Sequence, residues 1–342
     1  MTMLRPITIV GGGLTGLSLG IALRKAGATV EIFEAGDYPR HRVCGEFITG
    51  LNDDTIEKLG ISNALSDAGC HHSVTWFWKE QKTGQSALPA PARALSRYTL
   101  DARLARIFTT AGGRLTVRTR FTSSNYQPGV IQTCGRKPSG SSQWFGLKLH
   151  ARYLPTVDDL EFHLANNAYV GLSTVEDGWT NVCGLFRRRP GLQFDRDDAL
   201  SVYLRSSGFH ALAERLAMAQ IRPGSRRAVA GFVFDRGISA DDGVRLGDAC
   251  AMIPPFTGNG MAMAFTSASL AVDPLMTWVR GEHSWDAAIH SINGMLRQEF
   301  RVRLAAASFL HPFLLNRTLQ RCLGGALRAG FLPTTTLYRL LH

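Results

Sequence analysis

Gly11, Gly13 and Gly16 stand in the order G-x-G-x-x-G, directly after the apolar run Ile7-Thr8-Ile9-Val10. This spacing suits a chain whose backbone must lie against a pyrophosphate. Gly11 permits the tight turn, Gly13 leaves room for the phosphates, and Gly16 lets the following helix pack closely on the strand. Leu14 and Thr15 occupy the intervening positions, at the start of that helix. Free N–H groups and the helix dipole favour an anion there. Glu34 follows Gly16 by eighteen residues, at the end of a second apolar run, 29–33. Its carboxylate can accept hydrogen bonds from ribose hydroxyls, and its charge disfavours a 2′-phosphate. Strand, glycines, helix, strand and acid in this order predict a dinucleotide-binding Rossmann unit.

A second set of residues lies far along the chain. Val244-Arg245-Leu246-Gly247-Asp248 reads as a short strand ending in Gly-Asp, and a loop with Pro255, Gly258, Asn259, Gly260 and Met261 leads into a small-residue helix over 262–272. With the first motif, this segment resembles the flavoprotein family of the aromatic hydroxylases and geranylgeranyl reductases, over most of residues 5–275. The resemblance implies FAD as cofactor. It puts Asp248 near the ribityl and pyrophosphate groups, and the loop from Pro255 to Met261 against the isoalloxazine ring. Backbone N–H groups at such a helix start can stabilise negative charge on a reduced flavin.

Arg97 with Leu100-Asp101 matches the family's Arg-x-x-Leu-Asp segment, which implies an arginine near the cofactor. Arg40-His41-Arg42-Val43-Cys44-Gly45-Glu46 resembles the geranylgeranyl-reductase branch, where a Cys-Gly pair lies by the flavin ring. On that resemblance Cys44 and Glu46 are the candidates for chemistry, and Arg42 is a candidate ligand of cofactor phosphate or ribose. One position departs from the pattern: where the family carries Ala-Asp-Gly, this chain has Thr133-Cys134-Gly135. That loss weakens an NADPH-dependent hydroxylase reading. No second G-x-G-x-x-G is present, so NAD(P)H would act as a transient electron donor without a domain of its own.

These groups need elements to hold them. Residues 144–186 read as an antiparallel meander with strands over 145–150, 160–164, 169–175 and 180–186, turned at Asn166-Asn167 and Asp177-Gly178. The expected fold is therefore α/β: a Rossmann-type FAD-binding domain (1–75, 95–142 and 226–280), an inserted antiparallel β substrate domain (76–94 and 143–225), and a helical C-terminal segment (281–342). Trp76, Phe77 and Trp78 are expected in core packing. His71 and His72 point in different directions on a strand and are not expected to share a substrate.

Composition narrows the rest. The net charge is +11, yet no Lys/Arg stripe interleaved with aromatics and no nucleic-acid module is evident, so nucleic acid is not an expected partner. From residue 297 onward seven arginines face one acid, Glu299, between Phe and Leu residues at helical spacing. Such a segment could rest on an anionic membrane or cap an apolar cavity. The apolar stretch before Gly11 is too short for a signal-peptide core, so a cytoplasmic protein is expected, with membrane association through its basic tail. The expected activity is reduction of a carbon–carbon double bond in a hydrophobic or lipid-like substrate. A monooxygenase of an aromatic or polyketide-like substrate is the rival, with a flavin-bound sensor below it. A halogenase is disfavoured because Trp76 and Trp78 do not form the Trp-x-Trp-x-Ile-Pro segment.

Overall fold

The computed structural model describes residues 4–121, 127–136, 140, 142–232, 243–316, 318–321, 325 and 340. The chain opens with β1 (Ile7–Val10), α1 (Leu14–Lys25), β2 (Val30–Phe33), β3 (Phe47–Ile48), α2 (Asp53–Leu59) and α3 (Ser62–Leu65). A long hairpin, β4 (Gly69–Trp78) and β5 (Gln81–Ala94), leads to α4 (Arg97–Thr110), β6 (Arg114–Thr116) and β7 (Val130–Gln132). The meander is β8 (Trp144–Arg152), β9 (Leu160–Ala165), β10 (Ala168–Thr174) and β11 (Thr180–Arg187). After it come α5 (Ala199–Ser207), α6 (His210–Ala217), β12 (Gln220–Ile221), β13 (Arg227–Ala230), β14 (Val244–Arg245), α7 (Gly260–Val279) and α8 (Trp285–Leu315).

The strands form two sheets. The first is parallel, in the order β14-β7-β1-β2-β6. Ile7, Ile9, Val30, Ile32 and Ile131 are buried in it, as a sheet covered on both faces requires. α1 carries Arg24 and Lys25 in its last turn, where cations favour the dipole, and ends on Gly27 at φ +91° with Ala28 N–H donating to Leu23 C=O. α7 is buried along most of its length and packs against α1.

The second sheet has nine strands, in the order β12-β8-β11-β10-β9-β4-β5-β3, with β13 also paired to β8. The four meander strands match the expected ones to within a residue or two, and Asn167 and Asp177 take left-handed φ angles of 59° and 58° at the expected turns. Two expected domain boundaries fall elsewhere. β4 begins at Gly69 and β13 at Arg227, so residues on both sides of 75/76 and of 225/226 belong to the substrate sheet. The reason is pairing at long range: β13 adds to β8 across nearly eighty residues of sequence.

The two faces of the second sheet differ in kind. Leu147, Leu149 and Ala151 of β8, with Val170, Leu172, Val182 and Phe186, bury against α5 and α6. The opposite face turns toward the nucleotide domain. α8 closes the molecule: its buried Leu314 and Leu315 join the apolar cluster on that opposite face. No described helix is long and apolar enough to cross a membrane.

Phe108 of α4 is fully buried, and a Cβ at Gly20 or Gly113 would run into its ring. Phe108→Ala should therefore cost about 3–5 kcal/mol, because helix and strand cannot collapse into the gap. Chemical denaturation checks this, and a loss below about 1 kcal/mol would show that the packing relaxes.

Candidate active site

The glycine turn sits as its spacing predicts. Gly11 has φ +109°, and a Cβ there would lie 2.6 Å from the Cys134 backbone. A Cβ at Gly16 would overlap the Gly11 carbonyl, so helix and turn can approach only without one. Gly13 has open space where its Cβ would be, as a bound phosphate requires. It is also the N-cap of α1, which has no side-chain cap and no acid in its first turn, so its N–H groups and dipole remain available to an anion. Leu14 and Thr15 are buried beneath the turn.

Glu34 clamps the same turn. Its carboxylate accepts from the Gly12 and Gly36 N–H groups, both at 2.8 Å, and pairs with Arg40 at 2.8 Å. Tyr38, which sequence reading passed over, donates its hydroxyl to the Gly12 carbonyl. Its phenol stays protonated, held up by burial first and by Glu34 second.

The second motif meets the first. Gly247, at φ +59°, packs against the Thr15 side chain, and a Cβ there would overlap the Thr15 hydroxyl. Asp248 is solvent-accessible, yet enclosing protein pushes its carboxyl upward, against Arg97 and Arg136, which favour its charge. Gly258, at φ +70°, leaves room for the Phe47 ring, and Gly260 at the start of α7 faces open space as Gly13 does. Asn259 is buried beside it, Met261 is buried in the core behind it, and Pro255 is exposed in front. The Gly247–Thr15 contact and the packing of α1 on α7 bring two helix starts, Asp248 and the Gly258 loop into one region, the candidate cleft.

The arginines are fixed by one carboxylate. Asp101, fully buried, accepts from Arg97 Nε at 2.7 Å and Nη2 at 2.9 Å, and from Arg42 Nε at 2.9 Å. Burial opposes the charge on Arg97, but Asp101 outweighs it and raises the guanidinium. Arg42 Nη2 is buried, lies 3.7 Å from a Glu34 oxygen, and makes no hydrogen bond among the described residues. A donor left over beside the ribose-binding position fits a cofactor oxygen.

The Cys44-Gly45-Glu46 loop joins this cleft to the substrate sheet. Asn181 Nδ2 donates to the carbonyls of Cys44 at 2.9 Å and Gly45 at 2.8 Å. Cys44 is half-buried beside Arg97, and burial raises its thiol pKa, so it is a neutral thiol at the cleft wall. Glu46 is different. It adopts φ +60° and is fully buried, accepting from Lys148 Nζ at 2.7 Å, His150 Nε2 at 2.6 Å and the Arg97 N–H at 3.0 Å. The catalytic role expected of Glu46 is thereby corrected: a carboxylate with no exposure cannot reach substrate, and it positions the loop instead. Burial works to raise its pKa, but Lys148 and His150 overcome it and hold the acid at about 2. His41 stacks on Tyr98 with ring centres 4.6 Å apart, and burial, with the Lys148 charge, lowers it to about 3.

Lys148, His150, His41 and Asn181 were not singled out from sequence. Lys148 and His150 alternate with Leu147 and Leu149, a period-two signal that puts both on one strand face. Strand register then sets a row across the sheet: Lys148, Cys183, Gly171, Phe162 and Trp76. The row passes from charge through small residues to aromatics. Trp76 and Phe162 lie 5.1 Å apart, and Phe47, Tyr169 and Leu185 complete the apolar end. Trp78 also joins this cluster, while Phe77 points to the other face, where it stacks on His163 at 4.4 Å. His71 is buried against the Ser173 hydroxyl at 3.0 Å and His72 is exposed, so the pair is split as expected.

Residues 9–54 match the model of an NAD(P)-binding Rossmann-like domain. A menaquinone reductase of Mycolicibacterium smegmatis is 25% identical over 119 residues, 33% of this chain and 29% of that protein. The match thus spans less than a third of that relative's length. Among solved structures, the chain is similar to HpxO of Klebsiella pneumoniae complexed with FAD and uric acid, with TM-score 0.76 and 15% identity over 98% of this chain and 96% of that one. It is similar also to p-nitrophenol 4-monooxygenase PnpA of Pseudomonas putida DLL-E4, with TM-score 0.75 and 11% identity over 100% and 97%. The flavin-dependent brominase Bmp2 gives TM-score 0.75 and 16% identity over 98% and 92%. At these identities the likeness establishes the α/β fold: a Rossmann-like nucleotide domain, mixed sheets and C-terminal helices, shared along the whole chain.

Two outcomes follow from the buried charges. Glu46→Gln leaves Lys148 charged and uncompensated, and should cost about 3–5 kcal/mol, part of which Lys148→Met in the same chain restores. Urea denaturation of the single and double variants reads both values; an additive double variant would contradict the pairing. Acid should also destabilise the protein in two steps. Unfolded His41 takes up its proton near 6.5 while the folded residue waits until about 3, so the unfolded state binds more protons and stability falls with pH across that window. Glu46 adds a loss between its ordinary 4.5 and about 2. His41→Asn should flatten the first step in a pH series of denaturation curves, and an unchanged slope would remove His41 as its source.

Proposed function

We propose that this chain is an FAD-dependent oxidoreductase acting on a hydrophobic substrate, and that its reaction is monooxygenation of an aromatic or polyketide-like ring. The observation that carries the reading is the juxtaposition of the glycine turn, the start of α7 and the Cys44–Glu46 loop. The uncapped start of α1, the open start of α7 and Asp248 lie together there, and the Cys44-Gly45 loop joins them to the second sheet through Asn181 and to its aromatic end through Phe47. Gly13 and the α1 N-terminus would hold the pyrophosphate. Glu34 and Arg42 would meet the ribose side, and Asp248, Arg97 and the Pro255–Met261 loop would border the ring. When bound and reduced, FAD supplies the electrons and the reactive site for dioxygen.

The chain's own residues do the rest. Trp76, Phe162 and Tyr169 give an apolar wall that excludes water and orients a flat substrate. Gly171, in the middle of the row, lets the Phe162 ring edge lie against the backbone. NAD(P)H, meeting the protein transiently, is the proposed electron donor. The whole-chain likeness to structures named as monooxygenases supports oxygen transfer over the double-bond reduction expected from sequence. Reduction remains the second reading, favoured by the neutral Cys44 thiol at the cleft wall and the partial match to a menaquinone reductase.

Denaturing release and chromatography should yield FAD from the purified protein, and Gly13→Val should abolish its retention; recovery of NAD or FMN alone would contradict the proposal. Anaerobic reduction, then mixing with oxygen and a panel of phenols, should give oxygenated product. Stoichiometric hydrogen peroxide without such product, together with saturation of a prenyl or quinoid double bond, would transfer the assignment to the reductase. Cys44→Leu should keep FAD and lose turnover, whereas Cys44→Ser, similar in size, should keep both. Normal turnover by Cys44→Leu would place the residue away from substrate.

A further inference from the structure

The C-terminal half of α8 leaves an apolar stripe uncovered by the described residues. Arg301, Val302, Ala305, Phe309 and Pro312 are all exposed and recur at helical spacing on one face, while Phe300, Ala307, Leu314 and Leu315 are buried on the other. Phe309 is 70% exposed and Val302 50%, large values for such residues within a helix, and Phe313 lies 5.7 Å from the Phe309 ring. The surrounding charge has one sign. Glu299 is taken by Arg303 at 2.6 Å, and Arg297, Arg301 and Arg321 are exposed with no carboxylate at ion-pair distance among the described residues.

The same helix reaches the cleft. Leu314 and Leu315 pack into the aromatic cluster with Phe162 and Tyr169, and His311 stacks on Phe256 of the loop before α7, with ring centres 6.0 Å apart. One helix therefore carries the exposed apolar stripe and its arginines on one face and, on the opposite face, packs against the apolar end of the candidate site.

We propose that this face of α8 docks on an anionic lipid bilayer and that the substrate is drawn from that bilayer. Phe309, Val302 and Phe313 enter the boundary between headgroups and acyl chains, and Arg297, Arg301 and Arg321 meet the lipid phosphates. The docking commits to a membrane surface because a second copy of the chain would bring the same arginines together unopposed. The substrate half of the inference rests on the proposed oxidoreductase reading; the docking half does not.

The test is co-sedimentation of the full-length protein with vesicles of phosphatidylcholine alone or mixed with phosphatidylglycerol, at low and high salt. Binding should require the anionic lipid and weaken with salt. Phe309→Ser should weaken it at least about tenfold, from the loss of one buried aromatic side chain. Arg301→Gln should weaken it about fivefold, the equivalent of roughly one charge at the surface. Both positions are exposed, so both variants should keep the parent's flavin content and melting temperature. No binding to anionic vesicles, or binding unchanged in both variants, overturns the proposal. So does a dimer in sedimentation velocity that Phe309→Ser dissociates, since the stripe would then be a self-interface. Vesicle binding by a protein that carries no flavin would leave the docking standing and remove the oxidoreductase reading.

Discussion

The structure depends most on a carboxylate that no solvent reaches. Glu46 takes Lys148 and His150 from β8 on its two oxygens and the first N–H of α4 as well. Its own carbonyl accepts from Leu95. Four connections, from β8, α4 and the link between β5 and α4, meet at one residue in a left-handed conformation that a non-glycine residue adopts only when its surroundings enforce it. Buried charge is costly, and such a pair brings little net stability over an apolar replacement. Its effect is geometric. A carboxylate that must find both Lys148 and His150 can do so in only one register of loop against sheet, and that register puts Cys44 and Gly45 at the cleft wall.

A second carboxylate does the same work for the cationic side. Asp101 holds Arg97 and Arg42 in fixed forks from the floor of α4, and a planar guanidinium so held presents its remaining N–H groups in a set direction. Glu34 organises the glycine turn, and from there its carboxylate would face the ribose. All three acids are buried, and Glu46 and Asp101 are spent on positioning. The groups left open at the cleft are the helix starts of α1 and α7 and Asp248, which is the distribution an anionic, extended ligand needs: attraction from backbone dipoles, with side-chain charges already balanced.

How much of this was legible in sequence follows from the range of each signal. The turn from Gly11 to Gly16, the strands beside it and Glu34 are set by neighbours within thirty residues, so spacing alone located them. The meander was legible because Asn166-Asn167 and Asp177-Gly178 force turns between alternating runs. The ionic cluster was not, since Glu46 and Lys148 are about a hundred residues apart and meet only through β8's place in the sheet. Domain boundaries failed for a related reason: β4 extends through a bulge between His71 and Ser73, and no local feature of Arg227–Ala230 says that it will pair with β8. Leu323, Leu327 and Phe331-Leu332 of the expected apolar tail, with Arg317, Arg328 and Arg339, lie outside the described residues, as does Cys322.

The row from Lys148 to Trp76 bears on the choice between the two reactions. Its charged end is neutralised in place, so it offers an incoming molecule no net charge, only the edges of a filled hydrogen-bond network. Its centre is Cys183 and Gly171, and burial raises the Cys183 thiol pKa as it does that of Cys44. Two neutral thiols are poor nucleophiles at ordinary pH, and the protein thus keeps its reactive-looking side chains inert beside the cleft. Chemistry in such a place falls to the bound cofactor, and the sheet acts by shape. A flat ring lies against Trp76 and Phe162 at little cost in ordering, whereas a flexible chain must lose its conformational freedom to do the same. On the proposed reading the aromatic end of the row would favour a rigid ring over a prenyl chain, a distinction hydrophobicity alone does not make.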